Sequence, residues 1–341
     1  MEKPSNSRRA FIAKAGLAAA TIGVTGLRSF AFDSTNAVRK SPGGRSLRIG
    51  WITDVHHGYI KDATQRLEAF MEAVAKQKPD FILQGGDFCH PKPEAKPFVQ
   101  LWEQFKGDRY HVLGNHDMDW GTKEQIMELW GMKDKYYSFD KGDFHFVIMD
   151  CNYILKDGKY LDFANSNYYI DPNNRDLVNP EQIEWLKADL EATDKQTIIV
   201  SHQAFDEIWN AGGVPNRHLV RKVIDDANNR ADFQKVIACF CGHHHLDDHS
   251  FINNVHYFQM NSASYFYVGD GFGSDGSKAV YKDPLYAFVT IDPEGRIIIE
   301  GKQSHFNSPT PTETKYPDAP RLSACITSRK EAFPGKKISA I

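Results

Sequence analysis

The chain of 341 residues is 41% hydrophobic, with a mean hydropathy of -0.50 and a formal net charge of -3 at pH 7. This composition excludes a polytopic membrane protein, and the near balance of charge offers no basic surface for nucleic acid as a binding partner. A chain of this length can bury the core of one large domain or of two smaller ones.

The N-terminal segment, residues 1–31, is predicted to be an export signal rather than part of the fold. Paired arginines, Arg8 and Arg9, precede a weakly apolar stretch over 15–27 that is too short to cross a bilayer as a helix. A small-x-small cleavage pattern follows, just before Phe32. The segment resembles a twin-arginine signal. This resemblance implies a bacterial protein that the twin-arginine translocation machinery exports to the periplasm or the cell exterior, without a membrane span in the mature chain. A general secretory signal and an uncleaved anchor are the alternatives.

Most of the remaining chain is predicted to alternate strands and helices, with hairpins towards the C-terminus. Apolar runs that end in polar residues predict buried strands, and apolar residues at helical spacing predict helices. In chain order we predict a strand over 46–53, a helix over 62–78, strands over 80–84 and 109–113, a hairpin over 135–150, a helix over 179–190, a strand over 196–201, a helix over 216–229, and strands over 235–240, 249–253, 255–262 and within 285–302.

This order predicts an α/β domain over 47–305, built on one mixed sheet or on two sheets packed together. Residues 32–46 are interpreted as a linker, and 151–178 as an irregular insertion. The tail over 306–341 has no clear periodicity, so we expect it to lie on the surface or to be partly disordered.

Polar motifs follow five of the predicted strands. In chain order they are "DVH" with Asp54 and His56, "GGD" with Asp87, "GNHD" with Asn115, His116 and Asp117, "SH" with His202, and "GHHH" with His243, His244 and His245. Because ligands of α/β sheets bind at the carboxyl ends of the strands, we expect these loops to converge. Asp, Asn and His are ligands for divalent Zn, Mn or Fe, and one aspartate can bridge two ions.

The spacing within two motifs gives a local geometric prediction. Residues two apart in an extended segment face the same side, which pairs Asp54 with His56, and His243 with His245. His244 then points the other way, and we interpret it as a supporting or surface residue.

Taken in this order, the five motifs resemble those of the calcineurin-like metallophosphoesterase family, from residue 47 to about 302. The resemblance implies an α/β fold in four layers, an α-β-β-α sandwich with two central mixed sheets and the metal site at the carboxyl ends of the strands. It also implies two divalent metal ions, Mn, Fe or Zn. One ion is assigned to Asp54, His56, Asp87 and His245, and the other to Asp87, Asn115, His202 and His243.

The activity implied by the resemblance is hydrolysis of a small phosphate ester by a metal-bridging hydroxide. The enzyme would be a phosphodiesterase or phosphomonoesterase on a nucleotide-like or other small ester. His116, which is assigned to no metal, would protonate the leaving oxygen or stabilise its charge. Asp117 would orient His116, or would instead serve as a cap or lie at the surface. The alternatives are a metal- or ligand-binding protein without turnover on the same fold, and a phospholipid-directed phosphoesterase. Specificity is expected from the long loops over 151–178 and 262–284, whose aromatic residues either form a platform for a base or aryl group or only pack.

Overall fold

The computed structural model describes four ranges of the chain, 44–208, 211–268, 278–292 and 295–334. The predicted export signal and most of the predicted linker lie outside these ranges. Within them, no helix combines the length and the apolar character that crossing a membrane requires.

A six-stranded mixed sheet contains both ends of the described chain. In spatial order its strands are β18 (Arg329–Ala332), β17 (Arg296–Gly301), β16 (Ala287–Asp292), β1 (Leu47–Ile52), β2 (Phe81–Gln84) and β3 (Asp108–His111). The strands β1, β2 and β3 are parallel, and the other neighbouring pairs are antiparallel.

A second six-stranded mixed sheet is formed by the middle of the chain. Its order is β12 (Asp248–Ile252), β13 (Val255–Gln259), β11 (Val236–Cys241), β8 (Gln196–Val200), β5 (Phe144–Ile148) and β4 (Tyr137–Lys141). The four central strands are parallel, and each outer strand is antiparallel to its neighbour. Short hairpins add β6 (Tyr153–Lys156) with β7 (Lys159–Asp162), β9 (Glu207–Ile208) with β10 (Ala211–Gly212), and β14 (Tyr265–Tyr267) with β15 (Lys278–Val280).

The α-helices cover the outer faces of the sheets. They are α1 (Ala63–Gln77), α2 (Lys96–Trp102), α3 (Lys123–Trp130), α4 (Pro180–Ala192) and α5 (Arg217–Arg230), and short 3-10 helices cover Pro93–Ala95, Asn115–Met118, Asn167–Tyr169 and Ala319–Arg321. At the start of α4, the side chain of Asn179 accepts a hydrogen bond from the Gln182 N–H, and a proline occupies the first helical position.

Three clusters of buried apolar side chains lie between the four layers of the fold. Side chains such as Trp51, Phe146 and Phe240 pack between the two sheets. A second cluster lies between the first sheet and α1, α2 and α3, and a third lies between the second sheet and α4 and α5. The predicted α-β-β-α sandwich with two mixed sheets is therefore confirmed.

Two segments differ from the sequence-based expectation. The insertion over 151–178 is ordered around the β6–β7 hairpin, where Asp162 lies 2.9 Å from the buried Lys123 Nζ, which also binds Asp150 at 2.6 Å. The tail contributes β18, although its sequence "RKEA" has no strand periodicity. This strand forms because β17 offers a row of unpaired backbone groups at the sheet edge, a context that local sequence does not reveal.

Candidate metal centre

The loops that follow the parallel strands bring the predicted ligands together in two groups. The ligand atoms of Asp54, His56 and His245 lie within 4.8 Å of one another, and so do those of Asp87, His202 and His243. Asn115 lines the same cavity as Asp87, His243 and His245. The structure thus places all seven residues at one site, while the division of these ligands between two ions stays a prediction.

Five of these residues have a left-handed backbone. The φ angles are 53° at Asp54, 57° at His56, 51° at Asp87, 66° at His243 and 52° at His245. Residues with a Cβ seldom adopt this conformation, because Cβ approaches the carbonyl oxygen, and such strain is found at functional sites where the fold imposes it. The ligand-bearing segments are therefore sharp turns and not the extended segments on which the spacing argument relied.

Glycines allow these turns to approach one another. A Cβ at Gly114 would overlap the backbone nitrogen and Oδ1 of Asp87, and one at Gly86, where φ is 102°, would overlap the ring of His202. The glycines of "GGD" and "GNHD" thus let two loops pass close enough for Asp87 to reach the centre.

In the first group, hydrogen bonding fixes the orientation of His245. Its Nδ1 lies 2.6 Å from the carbonyl oxygen of Tyr265, which requires the ring proton on Nδ1 and leaves a lone pair on Nε2. That Nε2 lies 3.2 Å from Asp54 Oδ1 and 3.1 Å from His56 Nε2. A lone pair that faces a carboxylate oxygen is repelled by it, and a cation between the two atoms removes this repulsion, so the arrangement fits a metal ion.

In the second group, a backbone carbonyl oxygen likewise orients a histidine ring. His202 Nδ1 lies 2.7 Å from the carbonyl oxygen of Gly85, and its Nε2 lies 3.1 Å from Asp87 Oδ2. Burial alone would lower the pKa of His202, but the charges of Asp87 and Asp54 outweigh it and raise this pKa to about 10. The two buried carboxylates therefore create a strongly negative potential at the centre, which favours a bound cation.

Asn115 provides a further test of whether a metal fits. Its Oδ1 is buried and has no hydrogen-bond donor among the described residues. A buried amide oxygen without a donor is costly, and a divalent ion would satisfy it. Imidazole nitrogens with carboxylate and amide oxygens match Zn, Mn or Fe, so the donor set fits the predicted metals.

His116 lies at the edge of the centre and is held by a carboxylate three residues later. Its backbone N–H donates to Asp87 Oδ1 at 2.8 Å, and its Nδ1 lies 2.6 Å from Asp119 Oδ2. The other oxygen of Asp119 accepts hydrogen bonds from Tyr168 at 2.5 Å and Ser166 at 3.0 Å. With Nδ1 occupied, the second ring nitrogen of His116 is left for a ligand in the cavity.

Asp117, the other candidate for orienting His116, has a different role. Its carboxylate accepts hydrogen bonds from the backbone N–H groups of Asp87, Phe88, Cys89 and Gly114 at 2.7–3.1 Å. Asp117 therefore clamps the loop that carries Asp87 and acts as a cap, and the orienting carboxylate that sequence analysis missed is Asp119.

The neighbouring histidines do not join either ligand group. His57 turns away from the centre, and its ring stacks on Phe98 with centroids 4.4 Å apart. His244 lines the cavity, with its ring centroid 4.7 Å from that of His243, and burial lowers its pKa to about 3. His244 is thus a neutral neighbour of the centre.

A cavity of about 540 Å³ opens above the ligands. Besides His116 and the predicted ligands, aromatic and basic side chains line this cavity. The aromatic residues are Tyr59, Tyr168, Tyr169, Tyr265, Phe266, Tyr267 and Tyr316, and the basic residues are Arg175 and Lys278. Aromatic residues of both predicted specificity loops therefore meet at the site. Tyr59, Arg175 and Lys278 were not identified from sequence, because no motif marks them.

A four-layer sandwich with carboxylates, imidazoles and an amide gathered at the strand ends is the architecture of a metal-dependent hydrolase. Residues 47–247 match the family model described as calcineurin-like phosphoesterase. The chain therefore belongs to this family, and it is a metal-dependent hydrolase of phosphoric esters.

Solved structures with a similar fold are remote in sequence. A dimetal phosphatase from Danio rerio has a TM-score of 0.55 and 14% identity, covering 76% of this chain and 98% of its own. GAP50, the anchor in the inner membrane complex of Plasmodium, has a TM-score of 0.54 and 16% identity, covering 86% of this chain and 90% of its own. At this identity the likeness shows the fold alone. No curated protein matches the chain in sequence.

Proposed function

We propose that the protein is an exported dinuclear phosphoesterase that hydrolyses a small phosphate ester whose leaving group carries a flat aromatic ring, such as a nucleotide-like monoester or diester. The observation that carries the proposal is the position of His116. It belongs to neither ligand group, yet it is bound to Asp87 and aligned by Asp119 at the cavity. A protein that only bound metal would have no use for such an oriented imidazole.

Each residue has a chemical task in this proposal. The seven ligands would hold two divalent ions, which when bound offset the charge that develops on the phosphoryl oxygens and lower the pKa of water. His116 donates a proton from its free ring nitrogen to the leaving oxygen. Asp119 keeps that nitrogen directed into the cavity, and Asp117 keeps the loop of Asp87 in place.

The cavity supports a small substrate. About 540 Å³ is within the range of small-molecule sites. Tyr169 and Tyr267, which are each 57% exposed, offer ring faces to a flat leaving group. Arg175 and Lys278 at the same cavity favour an anionic substrate.

The test is turnover by the purified protein with Mn²⁺ on p-nitrophenyl phosphate, bis-p-nitrophenyl phosphate and a panel of nucleotides. We expect metal-dependent hydrolysis, reduced by about 10²- to 10⁴-fold in His116→Ala and abolished in Asp87→Asn. His218→Ala, which changes an exposed histidine on α5, serves as the matched control. If none of these esters is hydrolysed by protein that has bound metal, the proposed substrate class is wrong.

A phospholipid-directed phosphoesterase is the second candidate, and apolar exposure near the cavity favours it. Trp120 is 48% exposed and lies 5.5 Å from the ring of Tyr59, while Ile170 beside Tyr169 is 83% exposed. Exposed Trp and Ile at a cavity entrance are suited to contact with lipid. Hydrolysis of vesicle phospholipid in preference to soluble esters, with loss of vesicle binding in Trp120→Ala, would establish this candidate over the first.

Export is proposed from the N-terminal sequence alone. The paired arginines and the short apolar stretch support the twin-arginine route. N-terminal sequencing of periplasmic material should find a mature chain that begins near Phe32, and replacing Arg8 and Arg9 by lysine should retain the precursor in the cytoplasm. Recovery of periplasmic protein that still begins at Met1 would refute cleavage.

A further inference from the structure

A second group of metal-type side chains lies away from the phosphoesterase centre, where the two sheets meet at one edge. The ligand atoms of His249, His256 and Glu331 all lie within 4.8 Å of one another. His249 is on β12 and Glu331 on β18, which are the edge strands of the two sheets. The group thus spans the open edge of the sandwich.

The strand register directs these side chains towards one another. His249 pairs with Phe258 and His256 with Phe251 across the antiparallel strands β12 and β13, so both imidazoles are on one face of the second sheet. In the first sheet, Glu331 pairs with the fully buried Ile297 and therefore faces the same inner side. A carboxylate and two imidazoles meet between the sheets as a result.

A hydrogen bond orients the ring of His256 for binding a metal ion. His256 Nε2 lies 2.9 Å from the carbonyl oxygen of Ala332, so it carries the ring proton and leaves a lone pair on Nδ1. A ligand histidine in proteins usually donates its other N–H in this way.

The distances are close to those around one ion. His249 Nε2 lies 2.9 Å from His256 Nδ1. Two nitrogens on a tetrahedral ion are separated by about 3.3 Å when each Zn–N bond is about 2.0–2.1 Å. A shift of a few tenths of an ångström is sufficient for the two imidazoles. Glu331 must turn further towards the ion, because its Oε1 lies 4.0 Å from His249 Nδ1, the ring nitrogen opposite the one that faces His256. The side chains of His249 and Glu331, which are 16% and 32% exposed, leave room for this movement and access from solvent.

We propose that His249, His256 and Glu331 bind a divalent transition metal ion, for which Zn²⁺ is the appropriate probe, and that this ion fastens the edges of the two sheets together. Two imidazoles and one carboxylate, with solvent in the remaining position, suit zinc and its neighbours. We assign the ion a structural role because its ligands join β12 and β18, the edge strands of the two sheets, and none of them lines the phosphoesterase cavity. It does not depend on the proposed substrate.

The experiment is a count of bound Zn²⁺ after dialysis, together with the thermal midpoint at increasing Zn²⁺. We expect His249→Ala and Glu331→Gln each to bind one Zn²⁺ fewer per chain than the wild type, to lose the part of the thermal stabilisation due to this ion, and to keep phosphoesterase activity. His218→Ala, an exposed histidine elsewhere, should match the wild type in all three measurements.

Two results would overturn the site. One is an unchanged Zn²⁺ count in both variants, which would leave an ordinary hydrogen-bonded histidine pair beside Glu331. The other, obtained on the wild type and so independent of how the variants fold, is a crystal structure with Zn²⁺ that has no anomalous peak between His249 and His256. A peak at that position would establish the site even if His249→Ala failed to fold.

Discussion

His116 and Asp119 form an aligned imidazole–carboxylate pair, with Nδ1 and Oδ2 2.6 Å apart. Since Asp119 is also held by Tyr168 and Ser166, the imidazole has one well-defined orientation. We expect Asp119→Asn to lower kcat by about 10- to 100-fold, as is usual when a partner that orients a histidine is removed. This is less than the about 10²- to 10⁴-fold lost with the general acid itself. KM should change little, because Asp119 is not placed to bind substrate. Steady-state kinetics of the metal-loaded variant measures both values.

The control for this prediction is Asp157→Asn, which changes an exposed carboxylate in the β6–β7 turn. It should retain the wild-type kcat. If Asp119→Asn also retained kcat, or if it raised only KM, the alignment of His116 by Asp119 would have no part in turnover.

The consecutive histidines 243–245 should differ sharply on substitution. His243→Ala and His245→Ala each remove an imidazole from a different ligand group, so each should lose bound metal and activity. His244→Ala should keep its metal and most of its activity, because His244 is in neither group. Metal content by elemental analysis beside turnover distinguishes the three, and an equal loss in His244→Ala would contradict the assignment.

Gly114→Ala should strongly reduce kcat/KM, although Gly114 is not itself a metal ligand. Its Cβ would overlap the backbone and Oδ1 of Asp87, so the loop of Asp87 must move. A displacement of about 1 Å costs about 10²-fold in kcat/KM. Gly158→Ala is the control: nothing lies within 4 Å of its Cβ, and its φ of 73° costs about 1–2 kcal/mol of stability only.

The stability of the second sheet should depend on pH through His145. This buried imidazole lies between Asp140 and Asp189, at 2.7 and 2.8 Å. Burial lowers its pKa, but the hydrogen bonds to Asp189 and Asp140 outweigh this effect and raise the pKa above the usual value. Its stabilisation is therefore complete below the unfolded pKa of about 6.5 and is lost as pH rises through the higher folded pKa.

We expect His145→Gln to cost about 1–3 kcal/mol of unfolding free energy near pH 6. The cost should be smaller at pH 9, because the imidazole of the wild type loses its proton as pH rises through the raised folded pKa. Urea unfolding at both values measures the difference, with His218→Gln as the control that is equal at both. A cost that grew with pH would mean that neutral His145 is the stabilising form.

Much of the fold and the site could be read from sequence because the signals are local. The buried strands are uninterrupted apolar runs, and the motif residues follow them directly, so the convergence of Asp54, Asp87 and His202 follows from strand direction alone. The helices α2 and α3, of seven and eight residues, were not predicted, since so short a segment shows little periodicity.

The sequence alone does not show which of two nearby carboxylates orients His116. Asp117 and Asp119 both follow His116, and only the backbone decides between them. Residues 115–118 form a 3-10 helix, in which side chains three apart are eclipsed, so Asp119 faces His116 while Asp117 faces the loop of Asp87. Likewise, β18 depends on an edge strand far away in sequence.

The left-handed backbone at five ligand positions also has a bearing on how such a chain could evolve. Each left-handed residue costs about 1–2 kcal/mol of folding free energy. The five residues together therefore cost an amount comparable with the whole net stability of a domain. In the absence of metal, replacing a ligand by glycine should make the protein more stable. In a lineage where catalysis is no longer selected, loss of the metal ligands would therefore increase the stability of the protein while the sandwich persisted. The same fold could then serve as a scaffold.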